Sequence, residues 1–331
     1  MNHTRLSYVL CAFAAFLFTA TFSIAQAAPP PPHVYVAASG SDTSLCKLKA
    51  PCRTISRALK LFSNRGTVTI IEDGDYPSFS IPASLEPLKP NAITVEAAAG
   101  VTAHIRDDVT TLINLGGGAP RAGSQDEVVL RGLHVDAGNS IGISCAGIRV
   151  LYIDSCFIKG FTAGVSFNAR GRLFLKDTML MENAKAVVVG SVNGPSIILI
   201  DHCRLQDNGT TGLDIHSGAD VFLRDSIIAN SARYGVNCSA ESENNPASLF
   251  IENSSITGGA YNCVGLCEGG IGVHVGAGSG VATVRLSNST ITQNKTGVQI
   301  EQNGSVFSYK NNRISGNATD VMGSLKDADY R

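Results

Sequence analysis

Leu286-Ser287-Asn288-Ser289-Thr290-Ile291-Thr292-Gln293-Asn294-Lys295-Thr296-Gly297-Val298-Gln299-Ile300 carries a two-part apolar signature, Leu286/Ile291, followed by a second short strand, Gly297-Val298-Gln299-Ile300. The same signature recurs upstream as Leu130/Val135, Ile153/Ile158, Leu175/Leu180, Ile200/Leu205, Leu223/Ile228 and Ile251/Ile256, and downstream as Tyr309/Ile314. Each but the last is followed by its own short strand, such as Gly164-Val165-Ser166-Phe167 or Gly235-Val236-Asn237-Cys238. These segments are too short for helices and alternate with period two, which is the pattern of strands. A repeat of about 23 residues cannot bury its apolar side alone, so neighbouring repeats must stack, about 4.8 Å apart. A leucine-rich repeat has this length, but its Leu-x-x-Leu-x-Leu pattern is missing. The expected fold is all-β, a parallel β-helix.

Composition agrees with that reading. The 331 residues include 34 Gly, no Trp and only 16% charged residues, against roughly 25% in an average soluble chain. A helical bundle would carry more charge on its exposed faces. The formal net charge of -1 excludes a broad basic face, so no nucleic-acid partner is expected.

Residues 1–27 read as a secretory signal peptide, with Arg5, the apolar run Leu6 to Ala20, and the small-residue site Ala25-Gln26-Ala27. Residues 28–33 form a Pro-rich tether, residues 34–66 an N-terminal strand and helical cap, residues 67–325 the β-helix, and residues 326–331 a tail. The expected location is secreted or periplasmic, with no membrane association after removal of the signal. An even set of eight cysteines remains after cleavage, which suits disulfides in an exported chain. Cys46 with Cys52 and Cys263 with Cys267 are the two local pairs expected to bond.

The repeats resemble the coils of right-handed parallel β-helix proteins of the pectate-lyase-like superfamily. Val34-Tyr35-Val36, Gly40-Ser41-Asp42, Pro51-Cys52-Arg53-Thr54-Ile55 and Ala58-Leu59 are similar to the entry segment of many members. The resemblance implies an amphipathic helix plugging the open end, and Ile55, Ala58, Leu59 and Phe62 fall at helical spacing on one face. With irregular earlier coils at Thr67 to Glu72, Phe79 to Ile81, Ile93 to Ala97 and Thr111 to Leu115, about ten coils would stack to roughly 45 Å.

Equivalent positions in a coil stack form columns. One reads Arg131, Asp154, Lys176, Asp201, Arg224, Glu252, Ser287, Lys310, alternating in sign over six coils, as an ion-pair ladder between coils would. The next reads Gly132, Ser155, Asp177, His202, Asp225, Asn253, Asn288, Asn311, a polar turn ladder in which His202 is structural.

The resemblance also implies that substrate lies along an exterior strand face beside long loops. The outward column of the second strand is Ser144, Ser166, Val188, Asp214, Asn237, His274, Gln299, with Asn168, His216 and Glu301 two residues further on. Insertions at Ala240 to Ala247 and Gly258 to Gly270 flank its polar centre. Asp214, His216, Asn237 and His274 are therefore the candidate catalytic residues, and Arg233, Tyr234 and Gln299 the candidate substrate-binding residues. Such a group suits proton abstraction beside a sugar carboxylate, as in a lyase or epimerase, with Asn237 donating, His274 or His216 accepting the proton, and Arg233 holding the carboxylate. Hydrolysis needs paired carboxylates, and Glu301 is placed about four coils from Asp214. The partner expected is an extracellular or cell-envelope polysaccharide of acidic character. No cofactor is expected, since no cluster of three acids marks a calcium site. The Asp-Pro-His motif of mannuronan epimerases and the paired Asp, Gly-His-Gly and Arg-Ile-Lys of polygalacturonases are missing, and the lack of Trp and of exposed aromatics leaves no sugar-stacking platform. The alternative is a non-catalytic binding, adhesive or structural solenoid.

Overall fold

A computed structural model describes residues 32–62, 64–83, 91–116, 126–136, 140–190, 195–259, 270–276 and 278–329. Each coil contains three strands, which assemble into three parallel sheets, one of twelve strands and two of ten. In chain order within a coil we number them the first, second and third sheets, the first being the twelve-stranded one. Pro31–Arg331 forms one compact unit, and its core is a single stack of aliphatic side chains. The signal peptide, most of the tether, and Cys263 and Cys267 lie outside the described residues.

The repeat read from sequence sets the register. Leu130, Ile153, Leu175, Ile200, Leu223, Ile251 and Leu286 are successive Cα partners in the first sheet, all buried. The last member differs from expectation: Leu286 pairs with Ser308, not Tyr309, while Ile291 still pairs with Ile314. The final coil thus holds one extra residue between its two signature positions.

The turn column has a backbone cause. Gly132, Ser155, Asp177, His202, Asp225, Asn253 and Asn288 all have φ between 45° and 66°, and in the last coil Lys310 (φ 63°) takes the position, not Asn311. Each of these eight coils therefore bends from the first to the second sheet through one left-handed residue, which Gly, Asn and Asp adopt at least cost. The charged column beside it pairs in part. Arg131 lies 2.9 Å from Asp154 and 3.6 Å from Glu96, and Arg224 lies 3.0 Å from Asp201. Lys176 turns aside to Asp177 at 3.6 Å.

Two buried polar ladders run inside the bends. In the first, Ser226, Ser254 and Ser289 hydroxyls accept the backbone N–H of Cys203, Ser226 and Ser254 from the coil before. In the second, asparagine carbonyls accept in the same sense, Asn183 from Phe161, Asn208 from Asn183, and Asn294 from Gly259. Ser231 occupies this column between Asn208 and Gly259, and its buried Oγ has no hydrogen-bond partner among the described residues. An asparagine there reaches the neighbouring backbone as Asn183 does. Ser231→Asn is expected to stabilise the fold by about 1 kcal/mol, read as an increase in the denaturant midpoint.

At the N-terminal end, strand His33–Val36 pairs with Arg65–Ile70, so a strand covers the first sheet's edge. The expected helix is only Ile55–Leu59, capped by Thr54, whose Oγ1 accepts the Arg57 N–H at 3.1 Å. Ile55 and Ala58 are buried, but Phe62 lies beyond the helix because the chain has to enter the strand at Arg65. The Cys46–Cys52 disulfide is formed and joins this segment to the stack through the Val36 to Cys52 bridge. Cys145, Cys156, Cys203 and Cys238 are buried and free, and desolvation pushes each thiol up to about 12. At the other end, Lys326–Asp327 is the last strand of the first sheet, paired with Phe307 and Ser308, where a tail was expected.

Candidate functional site

Period-two alternation places Asp214, Asn237, His274 and Gln299 on one outward column of the third sheet, as successive register partners. The interior valines and isoleucines on either side hold the backbone fixed, so these side chains stand one strand spacing apart. Asp214 and His274 are nonetheless almost fully buried, at 3% and 4% exposure.

Their hydrogen bonds and one ion-pair contact form a line along the sheet. Lys185, from the preceding coil, places Nζ 2.6 Å from Asp214 Oδ2. The Asn237 amide donates to Asp214 Oδ1 at 2.8 Å, and its carbonyl lies 2.7 Å from His274 Nδ1. His274 Nε2 lies 3.3 Å from Glu301 Oε1, which also accepts from Gln299 Nε2 at 2.8 Å. Since the Asn237 amide hydrogens are directed to Asp214, its oxygen faces His274. Nδ1 is therefore the protonated nitrogen, and Nε2 is the atom left to take or give a proton.

Two charges are tuned by this packing. Burial raises the Asp214 carboxyl, but bonds from His216, Lys185 and Asn237 outweigh it and hold the group well below the usual carboxylate range. His216 Nε2 lies 3.3 Å from Asp214 Oδ2. That bond raises the His216 imidazole, burial opposes, and the charges of Asp214 and Glu241 add to the rise. Glu241 stands 3.5 Å from His216 Nδ1, an ion-pair distance, and Nδ1 has no hydrogen bond among the described residues. Asp214 thus favours the protonated form of His216, a role closer to acid than to base.

The linkage has opposite signs at the two ends. Asp214, depressed in the folded state, contributes stability above its unfolded value and loses it as pH falls. His216, raised, contributes fully below its unfolded value and loses it as pH rises. The deficit of Asp214→Asn is expected to be about 1–3 kcal/mol near pH 5–6, to shrink below about pH 4, and to lose its His216 part above about pH 6.5. Denaturant titrations across that range check it.

Tyr234 stacks on the His274 ring at 4.8 Å, and the Arg233 guanidinium lies 4.9 Å over Tyr234. All seven candidate residues are therefore brought to one face. The structure reassigns Asn237, whose amide is committed to Asp214 and does not point outward as a free donor. It also moves Glu301 closer. Its neighbour Gln299 is three register steps from Asp214, not four, and its side chain reaches back to His274. Lys185 was missed, because its column otherwise reads Ala163, Thr211, Tyr234, Ile271; a lone lysine at a strand start gives no repeat signal. On the bend between the other two sheets, Asp201, His202 and Asp225 bring ligand-type atoms within 4.8 Å of one another. Arg224 already donates to both Asp201 oxygens, at 3.0 and 3.1 Å, which opposes a cation there.

Residues 141–325 match the family described as the right handed beta helix region. Among solved structures, pectate lyase Pel9A is similar over 90% of this chain and 77% of its own, with 14% identity and a TM-score of 0.52. XylC, solved in complex with xylose, is similar over 89% of this chain and 70% of its own, with 10% identity and a TM-score of 0.57. No curated protein matches the chain in sequence. At these identities the likeness concerns the fold, which hosts many chemistries.

Proposed function

The chain belongs to the right-handed β-helix family, and from that premise we propose that it is a secreted protein that binds an acidic polysaccharide along the outward face of the third sheet and abstracts a proton beside the sugar carboxylate. The observation that carries this reading is the unbroken line Lys185, Asp214, Asn237, His274, Glu301. It carries, next to its exposed end at Glu301, the His274 Nε2 nitrogen, whose tautomer is fixed by the residues behind it. A chain of bonded groups oriented from one end is what general acid–base chemistry requires.

His274 with Glu301 forms the proton-accepting pair. Glu301 is the more exposed member, its side chain 39% accessible, and His274 Nε2 receives the proton behind it. Abstraction at C5 of a uronate gives an enolate-like species whose added charge spreads onto the carboxylate oxygens, and cations stabilise that charge. His216, whose protonated form Asp214 favours, and Arg233, laid on Tyr234, supply positive charge at this face. The C4–O bond then breaks as the C4–C5 double bond forms, and the leaving oxygen takes a proton from His216 or water; return of a proton from water to the other face of C5 instead gives the epimer.

Incubation with pectin, alginate and glycosaminoglycans tests the reading, with ultraviolet absorbance reporting unsaturated uronate and NMR reporting epimerised residues. Activity on one polymer class is the expected result. Absence of both signals on every polymer, with binding retained on a glycan array, would leave the non-catalytic solenoid as the function.

A further inference from the structure

The outward face of the first sheet carries an apolar column that the third-sheet chemistry does not use. Val129, Tyr152, Phe174, Leu199, Phe222 and Phe250 are register partners in six successive strands. Phe222 and the adjacent Ile197 are each 44% exposed, and a groove of about 330 Å³ runs over Val129, Tyr152, Phe174 and Leu199. The low aromatic content therefore hides a concentrated aromatic stripe, where exposed aromatics were expected to be scarce. Tyr152 and Phe174 stack at 4.8 Å with their planes 11° apart, so these rings cover one another's faces and turn their edges outward. A sugar ring stacks on faces, so this stripe is poorly built for one.

Beside it, two residues along each strand, runs the charged column Arg131, Asp154, Lys176, Asp201, Arg224, Glu252. Its charges cancel, and a polyanion laid on it would meet a carboxylate for every cation. An alternating series of even length becomes its own complement when reversed. We propose that this face docks on the same face of a second copy of the chain, about a two-fold axis parallel to the strands and midway between those of Phe174 and Leu199. Arg131 then faces Glu252 of the second copy, Asp154 faces Arg224, and Lys176 faces Asp201. In the apolar column Phe174 faces Leu199, Tyr152 faces Phe222, and Val129 faces Phe250.

The contact is isologous and closes, so it stops at a dimer. Twelve strands of about five residues make a face of about 50 Å by about 17 Å, or roughly 900 Å² per copy, against about 800 Å² per partner in a standard interface.

Sedimentation equilibrium of the purified chain across the micromolar range should give a dimer mass. Phe222→Arg and, separately, Ile197→Arg, both at exposed positions, the latter set by the two-fold against Arg172 of the second copy, should raise the dissociation constant at least about tenfold with unchanged melting by circular dichroism. A mixture of Tyr152→Cys and Phe222→Cys copies should form a mixed disulfide, while neither forms one alone. A monomer throughout, a dimer indifferent to both substitutions, or cross-linking within a single variant overturns the proposal. So does a monomer whose capture of a polyuronate is lost in Phe222→Arg, which would give this face to a glycan.

Discussion

His274→Ala is expected to lower turnover of the responsive polyuronate at least tenfold, and on the order of a hundredfold if the imidazole contributes what a positioned proton-transferring group usually does. The loss should fall on kcat, because His274 lies buried beneath Tyr234 and offers a substrate little surface to bind. Steady-state kinetics on wild type and variant, with far-UV circular dichroism to verify the fold, separate the two parameters. Asn237→Ala should reproduce much of the defect without touching substrate, since it frees Nδ1 from the carbonyl that fixes the tautomer. An unchanged rate in His274→Ala would move the chemistry off this column.

The largest effect on stability is expected at Asn294. Its carbonyl accepts the Gly259 N–H at 2.9 Å, and its amide donates to the carbonyls of Ile256 and Thr292 and to Asn317. Asn294→Ala leaves buried backbone groups of two coils without partners, each worth about 1–3 kcal/mol, so a loss of about 3–4 kcal/mol is expected after relaxation. Urea unfolding reads it as a shift in midpoint with little change in slope. A loss below about 1 kcal/mol would mean that water replaces the ladder and that the coils are held by their aliphatic core alone.

The fold was legible because a coil stack repeats one simple pattern. Leu130, Ile153 and Leu175 recur with period-two neighbours, and only stacked strands bury such short segments. The slip in the last coil, Tyr309 for Ser308, came from reading an apolar residue as the core position in a coil with an extra residue. The left-handed bend was half visible. Gly132, Asn253 and Asn288 favour positive φ, whereas Ser155, His202 and Lys310 do not announce it. Asn183, Asn208 and Asn294 form their ladder two residues past the second-sheet strands, and nothing local separates them from ordinary turn asparagines. In the site, Asp214, Asn237 and His274 were legible as one column. Their bonding was not, because it depends on side-chain direction: Lys185 and Glu301 reach along the sheet from neighbouring coils.

The central claim is that the line from Lys185 to Glu301 serves to move a proton at a uronate C5. NMR of the responsive polymer incubated with the chain in deuterium oxide tests it most directly, because both elimination and epimerisation remove that proton. The expected result is loss of the C5 proton signal, to deuterium or to a double bond, with wild type and none with His274→Ala. Retention of every C5 proton by polymers that the wild-type chain demonstrably binds would contradict it.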